Sequence, residues 1–163
     1  MILAGNMLSL AAACFTAASC WSRDHKRIYL YQAAQCLLLA AANVFFASMS
    51  GTITFILCAM RNTMIAYGRF SGKVCAAFFV VLPILGIAGN NRGAVGLIPV
   101  AATMIYTAGC YFARRIPAIK LNMIVNQFLF TVYDVFILDL VSAVVDFVSG
   151  VLAIVSLIRM KKI

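Results

Sequence analysis

The 163-residue chain is 65% apolar and only 10% charged, it has no glutamate, and its formal net charge is +9. A soluble domain carries about a quarter of its residues as charges, so this composition excludes an ordinary globular protein. Its apolar residues run in unbroken blocks of about 20, the length of a helix crossing some 30 Å of hydrocarbon. They do not alternate with polar residues as the strands of a membrane barrel do.

The fold class read from this pattern is all-α, a polytopic membrane protein with seven transmembrane helices. The expected spans are 2–21, 28–47, 51–68, 74–90, 94–113, 121–138 and 140–158. The first lacks a basic leader and reads as a retained span, not a signal peptide. Spans one and two hold Ala11–Ala13, Ala17–Ala18 and Ala40–Ala42, small residues that let helix backbones approach closely in lipid. Span three contains Arg61 and Asn62. Pro83 and Pro99 fall inside spans four and five, where a missing backbone donor kinks a helix. Only Asp139 divides the last two spans, and fusing them would leave six. Trp21, Tyr29, Tyr31 and Tyr111 stand near span ends, as interfacial anchors do.

Charge placement favours seven. Cytoplasmic loops collect Lys and Arg. With seven spans, Arg23, Lys26, Arg27, Arg69, Lys73, Arg114, Arg115, Lys120, Arg159, Lys161 and Lys162 share one side, and Arg92 alone faces the other. The N-terminus is then periplasmic and the C-terminus cytoplasmic. The basic excess reads as an orientation signal and an attraction to anionic headgroups. It does not point to nucleic acid, because no loop is long enough to form a basic domain.

The order of blocks suggests a duplication. Arg23 aligns with Arg114, Asn43 with Asp134, Gly51 with Ser142, and Arg69 falls one residue from Arg159. Residues 1–68 then form a first three-helix repeat, 74–90 a linker helix and 94–163 a second three-helix repeat, all within a single transmembrane domain, 1–163. An odd linker gives both triplets the same orientation, a plan that transporters use.

Arg61 is the residue that most needs an explanation. A guanidinium near the bilayer centre costs roughly 2.5 to 17 kcal/mol depending on the scale. At helical rise it lies roughly 15 Å in from Gly51, and Asp146 roughly 9 Å from the outer end of span seven. Asp146 is therefore the first expected ion-pair partner and Asp134 the second. Gln32, Gln35, Asn43, Asn62, Asn126 and Gln127 also fall in spans, more polar groups than helix association requires. Tyr67, Tyr106 and Tyr133 are candidates to line the same space. The competing reading is a static buried pair that fixes helix register. Asp139 reads as a solvated turn acid and His25 as a loop residue. The six Cys show no metal-ligand spacing and read as packing residues. No nucleophile elbow, zinc motif or phosphate loop is present, so neither an enzyme nor a cofactor or metal is expected.

The stretch Ser22-Arg23-Asp24-His25-Lys26-Arg27, the pair Arg61-Asn62 and the stretch Val132-Tyr133-Asp134 resemble the small bacterial inner-membrane proteins called YgjV, over most of the chain. The helix plan is also similar to the SWEET sugar transporters and the wider PQ-loop group. In that group two triplets face a central solute path, and an Asn in the third helix of each binds the sugar. This resemblance implies a binding role for Asn62. In the second triplet Asp146 or Gly150 takes the comparable stretch, with no Asn. The Pro-Gln signature is missing, and spans one, two and six lack Pro. Arg61 suits an anionic or amide-bearing solute better than a neutral sugar.

These observations lead to an expected function. The chain is a bacterial inner-membrane transporter or facilitator of a small polar or anionic metabolite. It works by alternating access around Arg61, Asn62, Asn43, Asp134, Asp146 and Tyr133, as a monomer or homodimer. The alternative is a non-transporting accessory or scaffold protein whose buried charges are only structural.

Overall fold

The computed structural model describes residues 2–46, 48–91, 93–113, 115–136 and 140–161. The described residues form seven α-helices: α1 (Ile2–Trp21), α2 (His25–Phe45), α3 (Met49–Ala66), α4 (Gly72–Ala88), α5 (Ile98–Phe112), α6 (Ile116–Phe136) and α7 (Leu140–Lys161). One 3₁₀ turn, Val95–Leu97, leads into α5. Each expected span has its helix. Four segments, Leu3–Trp21, His25–Phe45, Val95–Phe112 and Val141–Met160, are long and apolar enough to cross a membrane. Helix α4 is apolar but shorter. Helices α3 and α6 are diluted by the polar residues they carry.

The break between the last two spans, at Leu138–Leu140, involves residues 137–139, which lie outside the described residues, as does the expected turn acid Asp139. The helices on either side still decide the count. Phe128 of α6 meets Phe147 of α7 edge-on, with ring centroids 5.9 Å apart, and Gly150 abuts Phe128. The two helices therefore run side by side and antiparallel, which one continuous helix cannot do. Arg92, Arg114 and Lys162, expected as loop charges, also lie outside the described residues.

The helices close into a ring. Going round it, α1 packs on α2, α2 on α3, α3 on α5, α5 on α6, α6 on α7, and α7 back on α1. Helix α4 lies outside, against α3 and α5. Its outward face is apolar, with Val80, Ile84 and Ile87 exposed. The other helices likewise expose Leu3, Met7, Leu10, Ile56, Met60 and Val144. Arg61, Asn62, Gln32, Gln127 and Lys120 are buried. Such a distribution, apolar outside and polar within, is stable in lipid, whereas water would penalise the exposed apolar area at about 25 cal/mol per Å².

Local sequence sets the helix ends. Asp24 caps α2 by accepting the Arg27 backbone N–H at 2.9 Å. That bond, foremost among several, holds the Asp24 carboxyl below its ordinary range. Gly68, at φ +68°, ends α3 in the left-handed region, and the Arg69 N–H reaches back to the Met64 carbonyl.

Four sequence expectations change. Pro99 is in the first turn of α5 and does not interrupt a span. Its missing N–H would have been unpaired there in any case. His25 is not a loop residue but opens α2, with its ring 5.0 Å from that of Tyr29. Tyr29 is fully buried in the core and cannot act as an interfacial anchor. Lys120 is likewise fully buried, because α6 begins at Ile116, earlier than expected. Its Nζ donates to the Ser19 carbonyl at 3.3 Å and to the Cys20 carbonyl. These belong to the last turn of α1, where carbonyls have no helical partner and a cation is favoured. Lys120 thus joins α6 to α1 across the ring.

Replacing Lys120 with Met should lower the melting temperature of the purified protein by the equivalent of about 1–3 kcal/mol, the cost of leaving buried carbonyls unsatisfied. An unchanged unfolding curve would show that the ammonium is dispensable there.

Candidate functional site

Helix α3 turns one polar stripe inward. Ser50, Thr54, Cys58, Arg61, Asn62 and Ile65 are buried at three- and four-residue spacing, while Ile56 and Met60 face out. Helix α6 repeats the pattern with Met123, Gln127, Phe130 and Asp134. Helix α5 supplies Thr103, Tyr106, Thr107 and Cys110.

Arg61 is 2% exposed. Its Nε and Nη2 both donate to Asn62 Oδ1, at 3.2 and 3.1 Å. Its Nη1 donates to Thr107 Oγ1 at 2.7 Å, and that hydroxyl donates in turn to the Thr103 carbonyl at 2.7 Å. The guanidinium carbon sits 4.7 Å from the centre of the Tyr106 ring, within cation–π range. Tyr106 Oη donates to Gln32 Oε1 at 2.8 Å, and Asn62 Nδ2 lies 3.8 Å from Cys36 Sγ. The guanidinium thereby ties α3 to α5 directly and to α2 through its two partners.

Asn62, Thr107 and Tyr106 thus form a polar cradle that meets the directional needs of the guanidinium. Asp146, the first expected ion-pair partner, lines the same void, and Asp134, the second, lines the neighbouring one.

The residues enclose two adjoining compartments. The first, about 560 Å³ with its opening included, is lined by Arg61, Asn62, Gln32, Gln127, Tyr106, Cys36, Cys58 and Asp146. The second, about 710 Å³ on the same measure, is lined by Asn43, Tyr133, Asp134, Ser142 and Asp146. Gly51 borders it because its backbone passes so close to Asn43 that a Cβ would collide with the Asn43 amide oxygen. The six sequence-selected residues thus divide in place: Arg61 and Asn62 in one compartment, Asn43, Tyr133 and Asp134 in the other, Asp146 in both. Gln35 also lines both, and Asn126 lines the first. Tyr67 is exposed, with the Lys26 ammonium over its ring, and lines neither.

The sequence reading missed Thr103 and Thr107, whose four-residue spacing in an apolar run was the available signal. Cys36 and Cys58, read from the sequence as packing residues, do pack together, and they also line the Arg61 compartment.

The lining can hold an anion near Arg61 and a hydrogen-bonding solute throughout. No group of three or more His, Cys, Asp or Glu suited to a metal occurs among the described residues.

The chain matches, over residues 3–163, the family model Imp-YgjV, described as bacterial inner membrane protein, and belongs to that family. No curated protein and no solved structure matches it.

Replacing Thr107 with Val removes one guanidinium partner and should destabilise the folded protein by about 0.6–2 kcal/mol, the range of interhelical hydrogen bonds in lipid. Arg61→Met should cost more, because it strands both Asn62 and Thr107. Thermal unfolding of the two variants checks the order, and equal melting temperatures for all three proteins would contradict the cradle.

Proposed function

We propose that this bacterial inner-membrane protein is a transporter or facilitator of a small anionic or strongly polar solute, with Arg61 as its anchor. The observation that carries the reading is a guanidinium buried in a ring of helices and facing a void that amides, hydroxyls and Asp146 line. Intramembrane charges that face a cavity mark solute paths, and Arg61 offers a bound anion a charged contact with several donors. Asn62, Gln32 and Gln127 offer it further hydrogen bonds. The Asn43–Asp134 compartment is the approach from the other end of the bundle, and Asp146 borders both steps of the path.

The ring order supports an internal repeat. The contacts α1·α2, α2·α3 and α3·α5 correspond in turn to α5·α6, α6·α7 and α7·α1, with α4 outside as linker. The register that carries Arg23 onto Arg114 also carries Gln35 onto Asn126, Leu39 onto Phe130 and Phe55 onto Asp146, all lining residues. Such a repeat would put a pseudo-two-fold axis along the path, the arrangement of parallel-repeat transporters. On this reading the N-terminus faces the periplasm, the function is not enzymatic, and one chain encloses a path by itself.

The rival reading, a scaffold, draws on the closure of the Arg61 network within the protein. On that reading the double variant Arg61→Met, Asp146→Leu folds well and keeps whatever function the wild type has.

Uptake of a panel of radiolabelled small carboxylates into proteoliposomes separates the two. Wild type should take up at least one, and Arg61→Gln should abolish that uptake while remaining folded and inserted. Uptake by Arg61→Gln at the wild-type rate would end the transporter reading in this form.

A further inference from the structure

The two compartments meet at one belt of side chains. Thr16, Gln35, Leu39, Phe55, Phe130 and Asp146 line both. They come from α1, α2, α3, α6 and α7, five of the six helices of the ring. The bulk of the belt is Phe55 and Phe130, stacked with centroids 5.9 Å apart and planes inclined by 29°. Their helices, α3 and α6, are separated in the ring by α5, so this contact bridges the interior through side chains. Phe130 also meets Tyr133 edge-on, 6.5 Å away at 86°, on the Asp134 side.

The belt also carries Thr16, Gln35 and Asp146, but the contact that reaches across it, between α3 and α6, is aromatic. Such a pair is apolar and disfavours the passage of water and ions, and its attraction beyond area burial is small enough for it to part and re-form. Because the pair joins the first triplet to the second, relative motion of the triplets opens it.

We propose that Phe55 and Phe130 form the partition between the Arg61 compartment and the Asn43–Asp134 compartment, and that a solute crosses only when this pair parts. The use of the partition rests on the transport reading above. Its existence as a diffusion barrier does not.

The protein carries its own reporters. Cys36 and Cys58 line the Arg61 compartment, and the lining of the other compartment includes no Cys. Ser142→Cys places a thiol on the Asp134 side. The full-length protein in sealed vesicles is exposed from each face to a small, membrane-impermeant anionic methanethiosulfonate. A cysteine thiolate displaces methanesulfinate and forms a mixed disulfide, located by peptide mass spectrometry. The face that labels Ser142→Cys quickly is the face of the Asp134 compartment.

From that face, Cys36 and Cys58 should react slowly in the wild type. Phe55→Ala and Phe130→Ala should raise their rates by about tenfold or more, as a lowered crossing barrier does. Phe55→Leu and Phe130→Leu should fall between, and they decide the matter if the Ala variants fail to elute as a single folded species. The rate at Ser142→Cys should not move. Equal rates at Cys36 and Cys58 in wild type and all folded variants would overturn the partition. So would fast labelling of the wild type. If the rates separate as stated but no carboxylate is taken up, the partition stands and the transport reading falls. If uptake depends on Arg61 while the rates stay equal, the reverse holds.

Discussion

The guanidinium of Arg61, held by Asn62, Thr107 and the Tyr106 ring inside a closed ring of helices, is the constraint around which the bundle is arranged. A charge at that depth is tolerable only when its donors are satisfied by the protein. Satisfying it required a polar stripe on α3, two Thr one turn apart on α5, and an amide on α2 to engage Tyr106. Those residues dilute the apolarity of the inner faces and leave space between them. The Arg61 compartment is the volume that such a cradle leaves.

A second buried cation, Lys120, solves a different problem. It ends the unsatisfied carbonyls of α1 from across the ring, where water cannot reach. In the repeat register Lys120 corresponds to Tyr29, and Ser19 corresponds to Cys110. Tyr29 and Cys110 share one buried cluster. On the proposed repeat, the two junctions would use different chemistry, an ammonium on carbonyls at one and an aromatic beside sulfur at the other.

Much of the fold was legible in the sequence because lipid imposes length and apolarity on every span. Seven helices, their order and the buried position of Arg61 and Asn62 all follow from run lengths and from the cost of a charge in hydrocarbon. Helix ends were less legible. Pro99 looked like a kink, but a proline is equally at home in a first turn, and only the 3₁₀ turn before α5 decides between them. Lys120 looked like a loop charge because its carbonyl partners belong to α1, a hundred residues away in the chain. The lining was legible in residue type and depth, since a charge and amides stand at helical spacing inside apolar runs, and depth along each helix puts Arg61 and Asp146 on one void. Thr107 was not legible as a guanidinium partner, because which side chains meet depends on rotation about helix axes, which the apolar pattern leaves loose. Phe55 and Phe130 were invisible for a related reason, since an aromatic in an apolar span gives no sign of whether it faces lipid or the path.

The central claim is that Arg61 stands ready to hold a solute anion. Thermal-shift screening of the detergent-purified protein against a library of small metabolites, wild type beside Arg61→Gln, tests it most directly. The account predicts at least one anionic compound that raises the melting temperature of the wild type and leaves that of Arg61→Gln unmoved. Stabilisation of both proteins by the same compounds, or of neither by any anion, would contradict it and make the guanidinium a structural tie.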